Sequence, residues 1–583
     1  MPALRRCASG IPENWQSGIE RIKRGIPSEQ GKPRLTVIQE MLCKRKEVSF
    51  MKKRPHIIIF NPDEMRADSM AHLGNPAAVT PNLDRFAAED AVSFSRAYCQ
   101  NPVCVPSRCS FFTGLYPHVH GHRTMSYLLH PGEDSLLKEL KESGYYVWMN
   151  DRNDLTAGQI PGWTESHADE IYYGGQVKGT PGPLRPGLRD KNDYSHFEGQ
   201  LGLDGQGRNY NGDDEVVDAA IRRLQNPVDG RPMCLFLGLM FPHTPYRVED
   251  PYFSAIDRNR LPPRVHPETC TGKAKILSEI RKYQGMENYT EAEWNELRAV
   301  YLGMCMKIDQ QFGRLVVTLK EQGLYDDCAI FFLSDHGDFT GDFSLAEKAQ
   351  NTFEDCLTRV PLLVKPPRGV SFTPGISPAL VELVDFYATA LDFAGIESSH
   401  SHFGRSLRAV LADHDRKLRD YVFCEGGRNP GETHCDEYHG CGPQGPAKAS
   451  PYWPKMMAQT DDEAHSKGIM MRGERYKYIS RTGAPDELYD MEQDPWETTN
   501  CIDDPSLTET VAAMRTELLK WLQRTADIVP YAYDQRFTPE MMWARCRSLV
   551  PPQREAEVRE MIAQGISFTD LMAFCRGLHT AGK

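Results

Sequence analysis

Four short apolar runs in this chain each lead directly into a cluster of ionisable residues, and this pattern narrows the fold more than any other feature. His56-Ile57-Ile58-Ile59-Phe60 leads to Asp63 and Glu64, and Tyr145-Tyr146-Val147-Trp148-Met149 leads to Arg152 and Asp154. The run at 233–241, MCLFLGLMF, leads to His243 in Pro242-His243-Thr244-Pro245-Tyr246, and the run at 328–333, CAIFFL, leads to Asp335 and His336. Unbroken apolar runs of this length suit strands covered on both faces. The stretches 135–142 and 300–322 between them read as helices, so the chain is expected to build an α/β sheet with mainly parallel strands. Ligands in such sheets bind beyond the carboxyl ends of the strands. The four ionisable clusters should therefore meet at one site.

With 583 residues the chain exceeds what one core holds, so a large domain and a smaller one are expected. A net charge of -12 argues against a general nucleic-acid binder, although a basic pocket inside an acidic shell remains compatible with it. No apolar run approaches the roughly 18 to 20 residues that span a bilayer, so no membrane partner is expected. The 16 cysteines are scattered, with Cys234 and Cys328 inside apolar runs, which fits reduced thiols and a cytoplasmic location. Residues 1–50 have neither an apolar signal segment nor a core pattern and are expected to be a leader, disordered or not natively translated. Lys46-Glu47-Val48 fits a purine-rich ribosome-binding sequence ahead of a start at Met51.

Cys104-Val105-Pro106-Ser107-Arg108 is followed by Ser110-Phe111-Phe112-Thr113-Gly114. A helix over about 107–112, stopped at Gly114, would favour a Cys104 thiolate together with Arg108. A buried inert thiol and an ordinary cysteine nucleophile both remain open on that reading. Asp63, Glu64, Asp335 and His336 supply hard oxygen ligands and one imidazole, a set that suits Ca²⁺, Mg²⁺ or Mn²⁺.

CVPSRCSFFTG resembles the activation signature of the type I, formylglycine-dependent sulfatases of the alkaline phosphatase-like superfamily. Asp335-His336-Gly337-Asp338 after its strand resembles that family's second metal-binding segment, and the first strand with Asp63 and Glu64 resembles the first. Tyr476-Lys477-Tyr478-Ile479 and the following Glu487-Leu488-Tyr489-Asp490 look like its C-terminal antiparallel strands, so the resemblance spans about residues 54–525. It implies an α/β sandwich with a large, mostly parallel sheet flanked by helices in a catalytic domain at 51–415. A smaller α+β domain with an antiparallel sheet would follow at 416–529, and residues 530–583, beyond the resemblance, are expected to be a helical extension. Within the extension, 554–574 reads as an amphipathic helix for packing or homo-oligomer contact.

The resemblance also implies roles. Cys104 would be converted to formylglycine by a maturation enzyme, and its hydrate would attack sulfur. One divalent ion, Ca²⁺ first with Mg²⁺ or Mn²⁺ as alternatives, would be held by Asp63, Glu64, residue 104, Asp335 and His336. Arg108 would position residue 104, His243 would protonate the leaving oxygen, and Lys348 in Glu347-Lys348-Ala349 would contact the sulfate of a small-molecule or saccharide ester. His122 is a further pocket candidate. One segment departs from the family: where Gly-Lys-Trp-His is common, this chain has Asp151-Arg152-Asn153-Asp154. Arg152 keeps a cation for an anionic oxygen. Asp154 replaces an imidazole with a carboxylate that could act as a base but would repel a second negative charge.

Three functional readings follow: a sulfatase, a phosphonate monoester or phosphodiester hydrolase using the same nucleophile, and a non-catalytic binding protein. The last predicts unchanged function in Cys104→Ala. The 425–442 stretch reads as a loop, or as an insert that walls the pocket. Its His434, Cys435, His439 and Cys441 do not have the spacing of a standard zinc finger.

Overall fold

In the computed structural model the first apolar run forms β1 (His56–Asp63), every residue of it buried. The structure describes residues 54–174, 182, 197–441, 445–447, 450, 452–529, 531 and 536–581, so the expected leader at 1–50 lies outside the described residues. The other strands of the large sheet are β2 (Val92–Tyr98), β3 (Tyr146–Asn150), β4 (Glu170–Tyr172), β6 (Met233–Pro242), β8 (Cys328–Leu333), β9 (Leu362–Lys365) and β10 (Gly375–Glu382). A small pair, β5 (Phe197–Gln200) and β7 (Tyr246–Val248), stands apart. The large sheet runs β10-β2-β9-β8-β1-β6-β3-β4, with β1 at its centre. β9 is antiparallel to β2 and β8, and the remaining pairings are parallel.

Alternation within β1 explains why an unbroken apolar run is needed. Ile57 and Ile59 join one core with Phe94, Phe112, Phe236 and Phe386, whereas Ile58 and Phe60 join another with Leu235, Leu237, Phe312 and Phe332. Successive side chains point to opposite faces. Both faces are dry, so polar residues are confined to the ends. Helices cover those faces, among them Cys104–Thr113 and Val384–Ala394 on one and the 31-residue Glu291–Glu321 on the other. The last begins earlier than 300 because Thr290 and Glu293 form a reciprocal capping box.

A second sheet, β11 (Val422–Gly426), β12 (Gly468–Arg472), β13 (Tyr476–Arg481) and β14 (Glu487–Asp490), is fully antiparallel. Val422, Cys424, Met470, Ile479 and Tyr489 face the core of the large sheet, while Phe423, Met471, Tyr478 and Leu488 pack on Thr508–Thr525 through Trp521. The two sheets thus share apolar surface. The amphipathic helix expected at 554–574 is instead two helices, Glu555–Ala563 and Phe568–Ala581, separated by Gly565 at φ 84°. Only glycine takes that left-handed turn without a steric cost, and it folds the apolar stripes of both helices against Met542 and Cys546.

Candidate active site

Parallel pairing assembles the site, in register between β1 and β8 and through a register shift after Asn61 between β1 and β6. Phe60 of β1 lies beside Phe332 of β8, so Asp63 and Asp335, each three residues further on, emerge together. Asp63 also pairs with Pro242 of β6, which places His243 at the same edge. Asp63, Cys104, Asp335 and His336 bring their ligand atoms within 4.8 Å of one another, as do Asp63, Glu64 and His243. All are buried. Glu64 holds φ 70°, a conformation that costs a non-glycine residue about 1–3 kcal/mol and persists only where the surroundings enforce it. Its N–H donates to Asp335 Oδ1 at 3.2 Å, and its carbonyl accepts from Tyr301 Oη at 2.7 Å.

Cys104 is the first residue of its helix, not a residue ahead of it as the expected start near 107 would have it. Val103 at the cap offers no side-chain bond, and Pro106 has no N–H, which suits the first turn. The free N–H groups of that turn favour an anion near residue 104. The Cys104 thiol lies 3.4 Å from Asp63 Oδ1 and 3.1 Å from His336 Nε2. Burial, reinforced by Asp63, pushes this thiol well above its ordinary pKa.

Arg108 is 0% exposed and fully engaged. Nε donates to Asp335 Oδ2 and Nη2 to Asp63 Oδ2, both at 2.9 Å, while Nη1 donates to the Arg152 carbonyl at 3.1 Å. Arg152 pairs with Asp63 from the other side and leaves its buried Nε without a hydrogen-bond partner. Burial works against the Asp63 charge, but the cations around it, led by Arg152, hold its pKa well below the usual carboxylate range. Asp154, its side chain 29% exposed, lies 3.5 Å from Arg108 Nη1. It is thus a partner of the arginine at the rim of the site.

Lys348 donates to Glu64 Oε2 at 3.0 Å, lies 3.1 Å from Glu347, and makes a short contact with His243 Nε2. Burial opposes its charge, yet the anionic groups around it raise its pKa well above the ordinary value. His243 differs from expectation in its charge. Its Nδ1 donates to the Thr244 carbonyl at 2.7 Å, and burial, then the neighbouring Lys348, push its pKa down to about 3. It is a neutral imidazole facing a protonated lysine, and the standing proton sits on Lys348. His122 is turned elsewhere: Nδ1 meets the Tyr127 carbonyl at 2.8 Å and Nε2 meets Glu133 at 3.1 Å.

The residues present fit a hard divalent cation. Three buried carboxylates converge, and Glu64 Oε1 is buried without a hydrogen-bond partner. His336 Nδ1 bonds the Gly337 carbonyl at 2.9 Å, which leaves the Nε2 lone pair aimed into the cluster. A backbone carbonyl in that role fixes the imidazole tautomer.

Several residues around the site carry no sequence signal. Tyr246 donates to both oxygens of Asp338 at 2.9 and 2.8 Å and accepts from the Glu347 N–H. Lys455, on the helix Trp453–Ala458, pairs with Glu347 at 3.2 Å, and the Tyr452 ring stands 6.4 Å from that of His243. The wall therefore comes from 452–455, just beyond the 425–442 stretch. In that stretch Cys435 accepts from Arg123 and His439 turns to Asp436, so the two do not join in a zinc site.

Known proteins resemble this chain over most of its length. The chain is 25% identical over 529 residues to the multifunctional alkaline phosphatase superfamily protein PehA of Trinickia caryophylli, covering 81% of this chain and 96% of that protein. It is 24% identical over 499 residues to an arylsulfatase of Clostridium perfringens, covering 81% and 95%. The crystal structure of a phosphonate monoester hydrolase of Agrobacterium radiobacter shares the fold with TM-score 0.64 at 20% identity, covering 81% of this chain and 96% of that one. The sulfatase family model matches residues 55–396, more than half of the 583, with all the converging groups inside it. The chain belongs to the sulfatase family.

Proposed function

We propose that this chain hydrolyses sulfate esters by covalent catalysis at residue 104, with Cys104 converted to formylglycine. The observation that carries the reading is the position of Cys104, on the first turn of a helix and enclosed by Asp63, Asp335 and His336. An unmodified thiolate is poorly served there. Arg108 spends its donors on Asp335, Asp63 and the Arg152 carbonyl, and burial disfavours the sulfur anion.

Asp63, Glu64, Asp335 and His336 would hold one divalent ion, Ca²⁺ by preference for an oxygen-rich set, which supplies Lewis-acid polarisation of the ester oxygens. The side chains do the rest. A hydroxyl of the residue 104 hydrate attacks sulfur and loses its proton to Asp154, the partly exposed carboxylate beside Arg108. The bond from sulfur to the alcohol oxygen breaks, and that oxygen takes the proton held between Lys348 Nζ and His243 Nε2. The second hydroxyl then returns a proton to the Lys348–His243 pair as the aldehyde re-forms and sulfate departs. Asp154 releases its proton to solvent, and water rehydrates the aldehyde.

Charge supports a monoanionic ester. Arg108, Arg152, Lys348 and Lys455 face Asp63, Glu64, Asp335, Asp154 and Glu347, so a divalent ion leaves the cluster with one net positive charge. Mass spectrometry of the peptide containing residue 104, from active protein, tests the mechanism. An aldehyde is expected, and an unmodified thiol in fully active enzyme refutes it. A phosphonate monoester or phosphodiester activity is the second reading, since the same nucleophile and metal set would serve a phosphorus ester and the fold is shared with a phosphonate monoester hydrolase. Paired aryl sulfate and aryl phosphonate substrates separate the two, a large kcat/KM advantage for the phosphorus ester favouring the second.

A further inference from the structure

A second cluster of ligating side chains is built from two neighbouring turns. His120 ends the short helix Pro117–His120, and Gly121, at φ 81°, reverses the chain so that His122 returns beside it. Glu133 enters from the 130–133 turn. His120 Nδ1 lies 2.9 Å and His122 Nε2 3.1 Å from the same oxygen, Glu133 Oε1, and the three ligand atoms lie within 4.8 Å of one another. One ion about 2.0–2.1 Å from each atom accounts for such separations.

Hydrogen bonding orients the set in the way metal ligands are oriented. His122 Nδ1 gives its proton to the Tyr127 carbonyl at 2.8 Å, so the Nε2 lone pair is the one directed at the carboxylate. A lone pair facing a carboxylate oxygen at 3.1 Å is repulsive unless a cation lies between them or the ring takes a second proton. Glu133 is fixed as well, its Oε2 accepting from the His130 N–H at 2.7 Å. Outer partners of this kind hold imidazole tautomer and carboxylate rotation in metal sites.

We propose that His120, His122 and Glu133 form a second metal site, separate from the Cys104 cluster, for a borderline transition ion such as Zn²⁺. Two imidazoles and one carboxylate suit zinc, whereas calcium takes oxygen ligands. His120, with its side chain 31% exposed, leaves the site open to ions from solvent. Binding would brace the 117–133 loop where it meets the 432–435 segment. There Arg123 bonds Glu432 and Cys435, and Tyr127 Oη donates to the His434 carbonyl at 3.0 Å.

The test uses the full chain, stripped with a chelator, reloaded with Ca²⁺ and titrated with Zn²⁺ by calorimetry, with bound zinc counted by elemental analysis. One tight zinc equivalent is expected in the wild type, weakened at least about tenfold in both His120→Gln and Glu133→Gln. Zinc should raise Tm in the wild type and in neither variant, circular dichroism establishing that each is folded. Absence of a tight equivalent in the wild type would mean a plain histidine–glutamate ion pair and overturn the proposal. Retention of the equivalent by either folded variant would do the same.

Discussion

Replacing Gly238 with alanine should cripple the active site without touching an ionisable residue. Gly238 sits in β6 beside Asn61 of β1, and a Cβ there would overlap the carbonyl oxygen of Arg152, far inside the 3.0 Å that real Cβ contacts respect. The glycine cannot retreat, because its N–H donates to Asn150 Oδ1 and its carbonyl accepts from Asn150 Nδ2, both at 2.8 Å. The Arg152 segment must therefore yield, by roughly 1 Å, and that displacement is of the size that lowers rates about 10²-fold. Two cations move with it. Arg152 carries its guanidinium away from Asp63, and Arg108 loses the carbonyl that accepts from Nη1 at 3.1 Å. Overpacking of a rigid strand should also cost about 1–3 kcal/mol in stability. The assay is kcat/KM on an aryl sulfate, alongside urea denaturation, with Gly158→Ala as the control because nothing lies within 4 Å of that position. Wild-type kcat/KM in Gly238→Ala would refute the claim that the carbonyl of Arg152 positions the cations.

His465 is buried, and burial followed by the charge of Arg428 pushes its pKa down to about 3 from 6.5. Between those values the unfolded ring binds a proton that the folded ring does not, so stability is full above pH 6.5 and falls on acidification by up to about 1.4 kcal/mol per pH unit. His465→Gln should flatten the acid limb of a urea-stability profile, and an unchanged limb would refute this assignment. Chelation should lower activity and Tm together, since Glu64 Oε1 has no protein partner, and added Ca²⁺ at a hundredfold excess over Kd should restore about 2.7 kcal/mol. A melting curve indifferent to chelator and calcium counts against the site. Removing residues 536–583 should leave kcat/KM unaltered, because Met542, Cys546, Val558, Ile562, Leu571 and Cys575 form a core of their own. Loss of turnover in the truncated protein would show that the extension supports the catalytic edge.

Residues 56–60, 233–241 and 328–333 state their structure locally, because strands covered on both faces demand unbroken apolar runs. The polar residues that follow them are the edge, and so Asp63, His243, Asp335 and His336 were readable as one site. The helix that begins at Cys104 was legible only in part. Gly114, with its left-handed φ of 70°, marks the end, but nothing local announces that Cys104 is already helical. At 554–574 an apolar period continues across Gly565, and periodicity alone does not distinguish one helix from two that fold back on each other.

What the sequence by itself determined is therefore the sheet, the family signature and the residue types at the carboxyl edge of its strands. Tertiary structure alone decided how those residues are charged and what they face. Burial beside Lys348 makes His243 a neutral imidazole, an ion pair with Arg108 holds Asp154 at the rim, and the turn at Gly121 sends His122 to Glu133. Tyr452 and Lys455 join the wall from more than 100 residues beyond Lys348 in the chain. The reason is physical: strand propensity and apolar pattern act between near neighbours, whereas desolvation and Coulomb interaction depend on distances that only the folded chain fixes.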